Sequence, residues 1–156
     1  MTIRPALTSD LQSVQACATE AYAPYVPRMG KKPAPMVADF LTQIEAGQVH
    51  VIEADGQVAG FIVLYSRRSE SGEEGEDHLH VENVAVFPAH HGKGLGRALL
   101  AFAEEEARRR KLPAVELYTN VKMTENLALY PRLGYVETGR REEAGFSRVF
   151  YRKALG

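Results

Sequence analysis

The stretch Val84-Ala85-Val86-Phe87-Pro88-Ala89-His90-His91-Gly92-Lys93-Gly94-Leu95-Gly96-Arg97-Ala98-Leu99-Leu100 decides how this chain is read. An apolar, β-branched run ends at Pro88, glycines alternate at Gly92, Gly94 and Gly96, and a helical pattern then begins. Glycines in a strand-to-helix turn leave backbone N–H groups unobstructed, and the helix N-terminus adds the positive end of its dipole. Such a turn holds an anion, most naturally a phosphate or pyrophosphate. Lys93 and Arg97 set cations beside it. Two common phosphate loops do not fit. A P-loop requires Gly-Lys-Ser/Thr, and Lys93 is followed by Gly94. The dinucleotide fingerprint requires a third glycine where Arg97 stands.

The elements around this turn follow from periodicity. Ile3 to Ala6 reads as a short strand. A helix starts from an N-cap at Thr8 or Ser9 and runs to about Tyr22, with Leu11, Val14 and Ala18 at helical spacing. Pro24, Pro27, Pro33 and Pro35 predict an irregular loop from Pro24 to Pro35. Met36 to Ala46 reads as a second helix with Phe40, Leu41 and Ile44 on one side, ending at Gly47. Val49 to Ala54 and Val58 to Ser66 are strands joined by the hairpin signal Asp55-Gly56. Arg67 to Asp77 is an acidic, solvated loop, and His78 to Phe87 is a further strand. Gly94 to Lys111 is a helix with Leu95, Leu99 and Phe102 on one face, and Glu104 to Glu106 stand four residues before Arg108 to Arg110. Ala114 to Thr119 is a strand, Thr124 to Leu133 a helix closed by Gly134, and Ser147 to Lys153 the last strand. This order predicts an α/β (α+β) fold: a mixed, mostly antiparallel sheet of about six to seven strands with helices on both faces.

Composition narrows the function. At 156 residues the chain holds one domain, and 45% hydrophobic with 25% charged residues excludes disordered and fibrous classes. Nineteen Lys and Arg against 20 Asp and Glu give a net charge of −1, which argues against nucleic-acid binding. Cys17 is the only cysteine, so a disulfide framework and multi-cysteine metal sites are excluded. Val58 to Tyr65 is too short to span a membrane, and Met1-Thr2-Ile3-Arg4-Pro5 has no signal-peptide core. The expectation is a soluble, cytoplasmic protein.

The central stretch resembles the signature of the GNAT superfamily, the N-acetyltransferases that use acetyl-coenzyme A. That signature is a hydrophobic strand, Pro, then Gln/Arg-x-x-Gly-x-Gly/Ala entering a helix. Here it reads Val84-Ala85-Val86, Pro88 and His91-Gly92-Lys93-Gly94-Leu95-Gly96, with His91 where Gln or Arg is usual. Downstream, Asn126-Leu127-Ala128-Leu129-Tyr130-Pro131-Arg132-Leu133-Gly134-Tyr135 resembles the family's Asn…Leu-Tyr-x-x-x-Gly-Phe run. Many members have the asparagine seven residues before the tyrosine; Met123 occupies that place and Asn126 lies one helical turn later. The likeness is close from His78 to Val136 and rests on element order elsewhere.

The resemblance implies the GNAT fold over residues 1–156, with acetyl-CoA as cosubstrate and no metal. It implies that backbone N–H groups of Gly92, Lys93, Gly94, Leu95, Gly96 and Arg97 hold the coenzyme pyrophosphate, with His91 and Asn126 adding contacts. Val84, Ala85 and Val86 are then expected to pair with the pantetheine arm like an added strand, an amide near Val86 polarising the thioester carbonyl. Tyr130 matches the family tyrosine that protonates the leaving thiolate. A phenol of pKa about 10 facing a thiol of about 8.5 suits that task.

The base is open. His80 and Glu82 alternate with Val84, so all three share one strand face; they serve either as proton acceptors or as the polar face of a half-solvated strand. Glu116 and Tyr118 on the next strand are further candidates. His78 and His80, with His90-His91 nearby, form a His-x-His pair, but no third zinc ligand has convincing spacing. Tyr22, Tyr25, Val26 and the prolines to Pro35 offer an aromatic wall for the acceptor, and Glu70 to Asp77 either attract an amine or form a solvated connection. Cys17 reads as small packing. The expected activity is transfer of acetyl to a small-molecule or peptide amine by direct attack. The alternative is a non-catalytic acyl-CoA sensor or partner-binding module. A homodimer through Phe146 to Arg152 is an expectation of the resemblance.

Overall fold

A computed structural model describes residues 2–68 and 77–156. The strands are β1 (Thr2–Pro5), β2 (Val49–Ala54), β3 (Gln57–Arg67), β4 (His78–Val86), β5 (Ala114–Asn120), β6 (Val136–Glu143) and β7 (Phe146–Ala154). The helices are α1 (Leu11–Tyr22), α2 (Tyr25–Met29), α3 (Phe40–Glu45), α4 (Leu95–Arg109) and α5 (Thr124–Arg132). One seven-stranded sheet has the order β1-β2-β3-β4-β5-β7-β6. The β4–β5 ladder is parallel, while β1–β2, β2–β3, β5–β7 and β6–β7 are antiparallel. The chain divides into two compact units, Met1–Leu64 with Glu82–Phe102, and Tyr65–Val81 with Ala103–Gly156. The acidic acceptor loop expected over Glu70 to Asp77 falls almost wholly on residues 69–76, outside those described.

In the first unit, Asp55 and Gly56 take φ of 54° and 75°, as a two-residue hairpin turn of the I′ kind demands. The core gathers Val14, Cys17 and Ala18 of α1, Phe40 and Ile44 of α3, and Val51, Ile52, Phe61 and Ile62 of the strands, all buried. Burial pushes the Cys17 thiol up to about 12, so it remains protonated and inert near neutrality. Three local expectations are corrected. The proline-rich segment is not wholly irregular, because Tyr25–Met29 forms α2. Pro24 is its N-cap and Pro27 lies in its first turn, where a missing N–H costs no helical bond. The helix expected from Met36 is instead a 3₁₀ turn over Ala34–Val37, followed by α3. Asp39 starts α3 by accepting from the Thr42 N–H at 3.2 Å. Leu41 is 41% exposed and does not share the buried face of Phe40 and Ile44.

In the second unit, β7 lies between β5 and β6, so the terminal strand is interior and β6 is the edge. The sequence Val136–Glu143 gives no strand signal, because its charged residues alternate with nothing apolar. It is a strand because the β7 edge and the Ala144-Gly145 turn, with φ of 52° and 79°, set its register. Arg140–Glu137 (3.0 Å) and Arg148–Glu143 (3.1 Å) lace this charged edge, which deters pairing with other chains. On α4, the four-residue pattern is realised by Arg110 and Glu106 at 3.1 Å, with Arg109 also on Glu106, whereas Glu104 reaches Lys153 at 2.9 Å. Among the described residues no helix is long and apolar enough to cross a membrane.

The start of the chain is fastened by one guanidinium. Arg4 bonds the Asp10 carboxylate at 2.8 Å and Glu53 at 2.6 Å, joining β1, the turn before α1, and β2. Asp10 also accepts from the Leu7 N–H at 2.8 Å. The Arg4 guanidinium holds the Asp10 carboxyl below the usual carboxylate range. A depressed carboxyl pKa adds stability that is present above the unfolded-state value near pH 4 and lost as pH falls through the folded value. Arg4→Met is therefore expected to cost about 1–2 kcal/mol at pH 7 in urea unfolding. That deficit is expected to shrink below pH 4; a deficit that is constant with pH contradicts the pairing.

Candidate functional site

In the first unit the site begins where β4 ends. Three consecutive carbonyls there each have a different close neighbour. The Val84 carbonyl accepts from the Tyr22 hydroxyl at 3.1 Å. The Ala85 carbonyl oxygen lies where a Cβ on Gly60 would come within 2.6 Å, so only glycine at position 60 permits the approach. The Val86 carbonyl lies 3.1 Å from His91 Nε2. A carbonyl only accepts, so that nitrogen carries the proton. His91 thus turns back onto its own strand, which is where the departure from Gln or Arg takes it.

Beyond Val86 the chain makes a 3₁₀ turn over Pro88–His90 and then crosses the glycines. Gly92 and Gly94 have φ of 82° and 76°, a region closed to most side chains. Gly96 does not adopt it, and a Cβ there would meet Val86 at 4.0 Å, an ordinary contact. Two of the three alternating glycines are therefore conformational requirements. The first bond of the helix runs from the Ala98 N–H to the Gly94 carbonyl at 3.0 Å. The N–H groups of Leu95, Gly96 and Arg97 precede it and have no acceptor within the helix. Arg97 is exposed beside them. Lys93 is turned elsewhere, with Nζ 3.1 Å from His90 Nδ1 and 4.0 Å from Asp55.

A buried network lies behind this strand. The Tyr22 hydroxyl donates to Asn83 Oδ1 at 2.6 Å, and Asn83 Nδ2 donates to the Pro35 carbonyl at 3.0 Å. Tyr22 and Asn83 are 8% and 4% exposed. Tyr22 is thus buried; Tyr25 is half-buried, its ring 6.4 Å from that of Tyr22 and 5.1 Å from the Arg28 guanidinium. Sequence reasoning passed over Asn83 and Gly60. An asparagine in the strand run between Val81 and Val84, where asparagine is disfavoured, and a glycine within Val58 to Tyr65 were the available signals. Glu82 is half-buried on β4.

The second unit holds His80, 5% exposed, with ring centroids 5.3 Å from Tyr65 and 5.9 Å from Tyr118. Tyr118 lies 5.5 Å from Phe150, and the Arg148 guanidinium sits 4.5 Å over its ring. Glu116 Oε2 bonds Arg152 and lies 3.2 Å from His78 Nδ1, so that oxygen is already engaged. Among the described residues no three His, Cys, Asp or Glu side chains gather as a metal site requires. Tyr130 on α5 is buried at 5%, its ring 5.6 Å from Tyr151 and 5.9 Å from Tyr135. Burial, reinforced by Glu104, pushes the Tyr135 phenol well above its usual range. Asn126 Nδ2 donates to Thr119 Oγ1 at 3.1 Å, which directs that amide to β5.

The model of the acetyltransferase (GNAT) family matches residues 14–135. S-(2-succino)cysteine N-acetyltransferase of Bacillus subtilis (strain 168) is 30% identical, over 97% of this chain and 94% of that protein. Aminoalkylphosphonate N-acetyltransferase of Salmonella typhimurium is 33% identical over 91 residues, 54% of this chain. The match spans about half of that relative's length, 53%. The structure of yncA from Salmonella typhimurium, solved with its cofactor acetyl-CoA, aligns with a TM-score of 0.73 at 26% identity, covering 100% of this chain and 94% of that one. A family model over most of the length and a relative matched almost throughout lead to one conclusion: the chain belongs to the GNAT family of acetyltransferases.

Proposed function

We propose that the protein transfers the acetyl group of acetyl-CoA to a primary amine by direct attack, with residues 1–156 acting as a single GNAT domain. The observation that carries this reading is the turn at Gly92 and Gly94, whose positive φ values lead into the N-terminus of α4. Its N–H groups suit the pyrophosphate of coenzyme A. Val84 to Val86, whose peptides are already held, are assigned the pantetheine arm. The acceptor is a small-molecule or peptide amine, consistent with relatives named for aminoalkylphosphonate and S-(2-succino)cysteine.

The chemistry then divides among the remaining residues. The amine nitrogen attacks the thioester carbonyl carbon, a C–N bond forms and the C–S bond breaks. An alkyl ammonium titrates near 10, so its proton must first leave; His80 or Glu82 takes it, directly or through water. An amide near Val86 donates to the carbonyl oxygen as charge develops on it. Tyr130 returns a proton to the departing thiolate. Burial of its ring among Tyr135 and Tyr151 excludes water, which favours a short, direct proton transfer.

Thiol release with acetyl-CoA and a panel of amines tests the reading. Tyr130→Phe is expected to lower kcat about 100-fold while coenzyme affinity stays within about twofold. An equal loss of coenzyme affinity instead makes Tyr130 a packing residue. Gly94→Val is expected to weaken coenzyme binding at least about tenfold in calorimetric titration, because the positive φ is disfavoured and the turn must rearrange. Undiminished binding contradicts the pyrophosphate assignment.

A further inference from the structure

The buried pair Tyr22 and Asn83 does more than fill the core. One hydroxyl proton serves two acceptors, Asn83 Oδ1 at 2.6 Å and the Val84 carbonyl at 3.1 Å. The Asn83 amide spends its other end on the Pro35 carbonyl at 3.0 Å. Every link is buried or half-buried, and each polar end of Asn83 is satisfied. Replacing a satisfied buried polar pair by apolar groups of the same shape is close to neutral for stability, so stability alone does not call for this one. What the pair does that an apolar pair cannot is fix a particular peptide. That peptide is Val84, and two residues on the Val86 carbonyl is bonded by His91. A strand edge that must accept an extended ligand needs its peptide planes set in advance, since ordering them on binding costs affinity.

We propose that Tyr22 and Asn83 are positioning residues for the coenzyme: through the Val84 carbonyl they set the peptide planes that pair with the pantetheine arm, and through Pro35 they tie the Pro33–Val37 turn to that strand. This rests on the acetyl-CoA reading above. It makes the pair matter for the arm of the coenzyme and not for its pyrophosphate, which the glycine turn holds independently.

Two ligands separate the possibilities. Coenzyme A carries both parts; adenosine 3′-phosphate 5′-diphosphate carries the pyrophosphate without the arm. Calorimetric titration of Tyr22→Phe is expected to show about fivefold weaker binding of coenzyme A, the equivalent of one ordinary hydrogen bond, with the armless nucleotide within about twofold of wild type. Asn83→Ala is expected to give the same selective loss, and it decides the matter if Tyr22→Phe does not fold. Equal losses for both ligands, no loss for either, or failure of both variants to fold overturns the positioning role and leaves the pair structural. A folded wild-type chain that binds neither ligand overturns the acetyl-CoA reading, and this inference with it.

Discussion

The site depends first on two backbone conformations. Gly92 and Gly94 adopt positive φ, and without them the chain cannot pass from the end of β4 into α4 with its first N–H groups presented together. A β-carbon at either position would meet no neighbouring atom within 4 Å, so crowding is not why glycine stands there. The requirement is conformational. From that turn follow the position of α4 and the burial of Leu95 and Leu99 beneath it.

A second constraint acts on the strand that feeds the turn. Strand peptides normally draw their rigidity from neighbouring strands. The carbonyls of Val84 and Val86 draw part of theirs from a tyrosine hydroxyl and an imidazole, and the Ala85 carbonyl approaches closely where Gly60 leaves room. These come from α1, β3 and the loop after β4, so three elements that do not adjoin in sequence meet at one short stretch of backbone. Such a stretch is held at modest cost, because the bonds at Val84 and Val86 each replace a hydrogen bond to water with one that is already oriented.

Much of this was legible in the residues. The strand, glycine turn and helix declare themselves through Pro88, the alternating glycines and the spacing of Leu95 and Leu99; Asp55-Gly56 declares its hairpin. Strand β6 was not legible, because Val136–Glu143 is almost entirely exposed and takes its structure from β7 instead of from an apolar face of its own. Helix α2 was hidden by its prolines, which break a helix interior but not its first turn. At the site, residue identities were readable while their partners were not. His91 looks like a ligand-facing donor until the Val86 carbonyl is found beside it, and Glu116 looks like a base until Arg152 and His78 are found beside its Oε2. Hydrogen-bond partners leave no trace in local spacing, least of all those from distant segments such as Asn83, on which the Tyr22 hydroxyl closes.

The central claim is that the glycine turn and the strand before it hold acetyl-CoA. Thermal melting of the purified chain with acetyl-CoA, against ATP as a control, tests it most directly. A ligand that binds only the folded state at about a hundred times its dissociation constant adds about 2.7 kcal/mol of stability. The account predicts a rise in melting temperature of several degrees with acetyl-CoA and none with ATP. A folded chain that melts at the same temperature with and without acetyl-CoA contradicts it.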